Sequence, residues 1–205
     1  MATKGLKHTY MGIKDGAGKG IKATELGPDG IYHSSKAKDD YGTKMANVQN
    51  IGSKGTPKYG DNGLQYTVNA NSYPEVALEF LNMPFEAKMT LLGWEKDENG
   101  GYSKGSEDAH VALIVETEGL TTGTSLYYAF QNGELIETNK NIATNETAET
   151  VADDVFTYSS LKPFSDDWAH GMKVYDGGDK NFNKDKMFAE VFGLDIPSTV
   201  KATTK

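Results

Sequence analysis

The 205-residue sequence contains no cysteine and no arginine, and each absence removes a class of function. Without cysteine, neither disulfides nor thiolate metal sites can hold the fold. Without arginine, every basic side chain is a lysine, and the planar bidentate fork on which tight phosphate and base recognition leans is missing. The formal net charge is -8 and the pI is near 5.0, so there is also no basic excess to displace counterions from nucleic acid. No run of about eighteen apolar residues exists, so no membrane span is expected. The amino terminus, MATKGLKHTY, lacks an apolar h-region, which predicts no secretory signal and synthesis in a cytoplasm.

What is present favours strands. Hydrophobic residues make up only 37%, beside 23 glycines and 11 tyrosines, a mixture suited to short strands and many turns. The length allows one domain with a real core, expected over residues 1–194, with 195–205 as a loose tail. The strongest pattern runs from His110 to Leu161. Val111 to Val115 is an unbroken apolar run that suits a strand covered on both faces. Thr124 to Gln131 alternates Leu126, Tyr128 and Phe130 with Tyr127, Ala129 and Gln131. Asn132-Gly133 follows, the preferred pair for a type I′ turn, so Glu134 to Thr138 is expected to fold back with Phe130 opposite Leu135 and Ala129 opposite Ile136. Thr150 to Leu161 is a fourth strand of this meander.

Elsewhere, Lys7 to Lys14 and Thr43 to Ile51 are expected strands, Pro28-Asp29-Gly30 is a turn, and the polar stretch from Ser34 to Gly42 is an exposed loop. Gly52 to Gly63, rich in glycine with one proline, is expected to be an irregular hairpin tip. Leu64 to Ala70 and Glu75 to Phe80 each alternate an apolar with a polar face. Asn82 to Gly93 carries helix signals, with Pro84 and Glu86 in the first turn, Gly93 past the end, and Phe85, Met89 and Leu92 on one stripe. The polar stretch that follows, from Trp94, is a hairpin or loop. Asn183 to Phe192 is a second helix, burying Met187, Phe188, Val191 and Phe192 and stopped by Gly193.

Motifs that suggest chemistry fail on inspection. GIKDGAGKG, from Gly12 to Gly20, lacks phosphate-loop spacing, and Gly20 stands where a hydroxyl should hold magnesium. Asp179, Asn181, Asn183, Asp185 and Glu190 fall at calcium-loop positions, but Lys184 replaces the glycine of the sharp turn, and Asn183 is more simply a helix cap. The four histidines show no paired ligand spacing. No pair of carboxylates is tied to the separations of glycoside hydrolysis. Tyr127, Tyr128 and Phe130 form an aromatic strip that reads as sheet core before it reads as a sugar platform.

Four blocks in order, KGLKHTYMGIKD, LNMPFEAKMTLLGWEKDENGGY, the segment from His110 to Leu161, and FNKDKMFAEVFG, resemble the major tail proteins of long-tailed, non-contractile phages of Gram-positive bacteria. The resemblance spans about Lys4 to Leu194. It implies a mainly β (α+β) fold: a two-sheet β-sandwich or split barrel with one flanking helix and a short C-terminal helix. It further implies a non-enzymatic, cofactor-free virion protein whose hexameric rings stack into a tube. Its partners would be its own copies, the tail tape-measure protein, and tail-terminator or distal tail proteins, with DNA passing through unbound.

A conduit must not hold its cargo, so a bore lined by carboxylates and amides suits this charge balance. The polar faces of the Thr43–Ile51 and Leu64–Phe80 strands supply the candidates: Asn47, Gln49, Gln65, Thr67, Asn69, Glu75 and Glu79. The loop at 52–63 or the loop at 34–42 is expected to be disordered in the isolated subunit and to become ordered between rings. The competing readings are a carbohydrate-binding β-sandwich, suggested by tyrosine content and turn density, and a small hydrolase using two of the carboxylates.

Overall fold

A computed structural model describes residues 2–52, 54–68, 72–106, 109–144, 152–168 and 170–194. The chain begins with β1 (Thr3–Lys14), β2 (Gly20–Ile21) and β3 (Ile31–His33), passes to β4 (Gly42–Gln49), and projects a hairpin of β5 (Thr56–Gly60) and β6 (Gly63–Val68). It then runs through β7 (Glu75–Asn82), α1 (Phe85–Leu91) and a short hairpin of β8 (Trp94–Lys96) and β9 (Tyr102–Lys104). The long β10 (His110–Gly119) leads to β11 (Ser125–Phe130), β12 (Gly133–Ile136), β13 (Asp154–Ser160), β14 (Lys173–Asp176) and α2 (Lys184–Phe192). Residues 195–205, where a loose tail is expected, lie outside the described residues.

Two antiparallel sheets form the body. The six-stranded sheet has the order β14-β11-β10-β1-β2, with β3 also paired to β1, and the four-stranded sheet has the order β12-β13-β7-β4. Strand alternation sends one set of side chains into the space between the sheets. Met11, Val111, Leu113 and Phe130 meet Val76, Leu78, Phe80, Phe156 and Tyr158 there. The other set from the larger sheet, Tyr10, Ala112, Ile114, Tyr127 and Ala129, is covered by Met187, Phe188, Val191 and Phe192 of α2 and by Trp168. From Val111 to Val115, β10 is therefore apolar on both faces because both are covered, as its unbroken run predicts.

Helix α2 matches its sequence signals closely. Asn183 Oδ1 accepts from Lys186 N, and Gly193 adopts φ +65° at the end. Helix α1 buries a different stripe from the one its periodicity suggests. Ala87, Lys88, Met89 and Leu91 are buried, whereas Phe85 is 60% exposed and packs edge to face with the Tyr102 ring. The helix is only seven residues long and sits at the end of β7, so its first turn overhangs the core.

The meander expected from His110 to Leu161 is not formed. β11 pairs with β10 and β14, while β12 pairs with β13 in the opposite sheet, so Phe130 does not face Leu135, nor Ala129 Ile136. Neither Asn132 nor Gly133 has the positive φ that a type I′ turn requires. Instead Asn132 anchors a crossing between sheets. Its Nδ2 donates to Lys162 O at 2.9 Å, and its Oδ1 lies 3.0 Å from His110 Nδ1. Gly133 is needed for close approach, since a Cβ there would lie 2.4 Å from the Tyr158 ring carbon and hydroxyl. Tyr158 in turn donates to Val111 O at 3.0 Å, tying the sheets through the core.

The segment 52–63 also departs from expectation, because it contains β5. Its tip is the type I′ turn: Asp61 and Asn62 have φ +48° and +58°. The loop from Ser34 to Gly42 is mostly exposed, but its ends are buried. Ser34 Oγ accepts from Thr9 N, and Asp40 Oδ1 accepts from Gly42 N.

Candidate functional site

The surface features that could do work are the outer face of the four-stranded sheet, its two edges, the β5–β6 hairpin, and a groove beside α1. On the outer face, antiparallel register places Gln49 beside Glu75, Glu75 beside Ser159, and Ser159 beside Glu134 in one cross-strand row. The next row holds Asn47, Ala77, Thr157 and Ile136, and the next holds Met45, Glu79 and Val155. Asn47, Gln49, Glu75 and Glu79 thus share one face, opposite the side that carries Val76, Leu78 and Phe80 inward. Lys44 stands among them, its Nζ donating to Glu79 Oε1 and to Asp153 Oδ2, each at 2.7 Å.

The other sequence candidates lie elsewhere. Gln65 and Thr67 are on β6, which pairs with β5 alone, and Gln65 Nε2 donates to Gly60 O at 2.9 Å. Asn69 lies outside the described residues. The sequence reading missed Lys44, Thr157, Ser159 and Glu134. The period-2 pattern of β13 carries the signal for Thr157 and Ser159, but only the pairing of β13 with β7 places them here.

Among the described residues, β4 and β12 each have a hydrogen-bonded neighbour on one side only. At the β4 side the sheets are joined by a Thr9–Thr43 hydroxyl contact of 2.7 Å, then diverge around a cleft of 370 Å³ lined by Leu6, Ala46, Val48 and Ile51. The β5–β6 hairpin is apolar and bare: Tyr59 is 73% exposed, Leu64 59%, Tyr66 62% and Val68 46%. At the other end of β7, α1 and the β8–β9 hairpin enclose a groove of 650 Å³ whose walls include Phe85, Met89, Leu92, Trp94 and Tyr102.

Buried charge is spent on holding covers in place. Lys88 Nζ, on α1, donates to Asp154 Oδ1 and Glu137 Oε1, and Lys140 Nζ also reaches Asp154. Burial works to raise the Asp154 carboxyl, but donation from Lys140, Lys88 and Met83 N outweighs it and holds the group below its ordinary range. On the larger sheet, Glu116 accepts from Tyr10 Oη at 2.6 Å and Ser125 Oγ at 2.7 Å. Burial likewise opposes ionisation of Glu116, yet these hydroxyls and the Lys184 ammonium keep its carboxyl low. Lys184 lies over the rings of Tyr10, Tyr127 and Phe188, which fastens α2 to the sheet.

Groups of three or more metal-ligating side chains are absent among the described residues, and none of their helices is long and apolar enough to cross a membrane. The buried ion pairs serve packing, and the surface features left without a partner in the chain are sheet edge and exposed apolar side chains. That combination defines a structural subunit built to meet other protein surfaces. Comparison with protein families gives a match to the phage tail tube proteins over residues 1–198, and the chain belongs to that family as a structural component of the virion tail. Comparison with curated proteins returns no match.

Proposed function

We propose that six copies of this chain close into a ring, and that rings stack into the tube through which phage DNA travels from capsid to host. The observation that supports this reading is the four-stranded sheet, whose two edges are open among the described residues, with one packed apolar face and an outer face that mixes Asn47, Gln49, Glu75, Glu79, Thr157 and Ser159 with exposed Met45, Ile136 and Val155. Joining β4 of one copy to β12 of the next extends the sheet around a closed circle and leaves neither edge of that sheet bare, the heterologous closure that rotation permits. The number six comes from the family resemblance. The outer face then lines the bore, with Asn47, Gln49, Glu75 and Glu79 on its wall and Lys44 neutralised by its two carboxylates. Gln65 and Thr67 belong to the hairpin and face other copies. The role is structural and non-enzymatic. The tape-measure protein occupies the bore before ejection, terminator and distal tail proteins close its ends, and the phage infects a Gram-positive host.

Negative-stain microscopy at rising concentration tests the reading. Rings and tubes with an open axis are expected, and a chain that stays monomeric at every concentration, alone or with its tail partners, overturns it. The bore assignment has its own test. Tubes of the Gln49→Lys/Glu75→Lys variant should retain double-stranded DNA at low salt and release it as salt rises, whereas wild-type tubes should not retain it. Equal retention by both removes these residues from the wall.

A further inference from the structure

We propose that Asn99, at the tip of the β8–β9 hairpin, is a site of spontaneous imide formation, where the folded chain turns asparagine into aspartate and isoaspartate ahead of its two other Asn-Gly pairs. The modification stands apart from how copies assemble.

The reaction needs only water and a solvent base. The base takes the proton of the backbone N–H that follows the asparagine, the nitrogen bonds to Cγ, and the Cγ–Nδ2 bond breaks as ammonia leaves, protonated by the same base. Water then opens the five-membered imide. Addition at the side-chain carbonyl gives aspartate, and addition at the main-chain carbonyl gives isoaspartate, whose backbone runs through Cγ. A glycine in the following position has no Cβ to crowd the ring and lets the backbone twist to close it. Three such pairs occur, Asn62-Gly63, Asn99-Gly100 and Asn132-Gly133, so the fold decides which of them reacts.

Asn132 is closed to this chemistry. Its side chain is buried and held at both ends, by Lys162 O at 2.9 Å and His110 Nδ1 at 3.0 Å, and Tyr158 already fills the space beside Gly133. Asn62 is exposed but sits in a left-handed position of its type I′ turn, and Gly63 is paired with Gly60 at the end of the β5–β6 ladder. Gln65 Nε2 braces the same turn by donating to Gly60 O. Asn99 has none of these restraints. It is exposed, its backbone N–H donates to Asp97 Oδ1 at 2.8 Å, and its side-chain amide has no partner among the described residues. The attacking nitrogen, Gly100 N, makes the longest contact of the turn, 3.2 Å to Asp97 O, and a Cβ added at Gly100 would meet nothing within 4 Å. The strands behind it have three residues each and pair only with one another among the described residues, so the turn opens easily. Isoaspartate there adds a backbone atom and a negative charge beside Asp97 and Glu98, and loosens the hairpin that walls the groove along α1.

The distribution of lysines makes the site directly readable. Cleavage after lysine places the three pairs in separate peptides, 59–88, 97–104 and 105–140. When the folded chain is incubated at mildly alkaline pH, mass spectrometry should find the acid form of Asn99 at least about tenfold ahead of that of Asn62 or Asn132, and slower formation at mildly acidic pH. A protein-isoaspartate carboxyl methyltransferase should label peptide 97–104, and Asn99→Gln should abolish that label. In urea the three pairs should react at similar rates, because the restraints on Asn62 and Asn132 are gone. A folded chain in which Asn62 or Asn132 reacts first, or in which no pair reacts, overturns the proposal. So does an order of rates that urea leaves unchanged, since the fold would then play no part. Acid at Asn99 without the methyltransferase label means direct hydrolysis, which overturns the imide route.

Discussion

Lys88 on α1 donates to Asp154 on β13 at 3.0 Å, a contact between two largely buried side chains that holds the helix against the four-stranded sheet. Lys88→Met keeps the stem's packing but leaves Asp154 and Glu137 without this ammonium. Breaking one side of a buried ion pair costs about 3–5 kcal/mol, and the remaining Lys140 contact puts this case near the lower end. Urea unfolding of the subunit should show a loss of about 3 kcal/mol, and an unchanged midpoint would mean that the contact contributes nothing net.

Acid should loosen both covers. Asp154 and Glu116 give up their protons more readily in the folded chain than in the unfolded one. Their contribution is therefore fully present above the ordinary carboxylate range of about 4 and is lost as pH falls through their lower native values. Unfolding midpoints measured from about pH 7 to pH 3 should fall only at the acid end. In Asp154→Asn the acid-induced part of the fall should be smaller.

Gly133→Ala should be costly. The added methyl would sit against the buried Tyr158 ring and the Ser159 carbonyl, where neither has room to move. Overpacking of this kind costs about 1–3 kcal/mol. Gly52→Ala, which meets nothing within 4 Å, provides the neutral comparison. Equal melting temperatures for the two would refute the close-approach explanation.

Asn183→Ala removes the side chain that caps α2 and should cost about 1 kcal/mol. Because α2 covers Tyr127 and Ile114, faster hydrogen exchange should appear in β10 and β11 as well as in the helix. Exchange confined to α2 would show that the helix frays without uncovering the sheet.

Much of this architecture was legible where the determining contacts are local. The apolar run of β10, the alternation of β11, and the cap and glycine stop of α2 all act within a few residues. The crossing at Asn132-Gly133 was not legible, because the dipeptide's turn preference gives way to Tyr158, which arrives twenty-five residues later to fill the space beside Gly133. β5 was hidden for the opposite reason: glycine and proline spoil its local pattern, and pairing with β6 restores it. Asn47, Gln49, Glu75 and Glu79 fell on one face because β4 and β7 are neighbours in register, while Gln65 and Thr67 share the same alternation on a ribbon that left the sheet. The groove beside α1 had no signal, since its walls come from separate stretches of chain.

Among the described residues the chain passes between the two main sheets four times on its way from β1 to α2, and the last arrivals, β14 and α2, are an edge and the outer lid of the sheet begun by the first. During synthesis, then, the four-stranded sheet can close once β13 has emerged, but the larger sheet cannot be finished before β14 and α2 have left the ribosome. Until that moment Ile114, Tyr127 and Ala129 stay wet, and the nascent chain depends on how soon the stretch from Lys173 to Phe192 follows to escape sticking to its siblings.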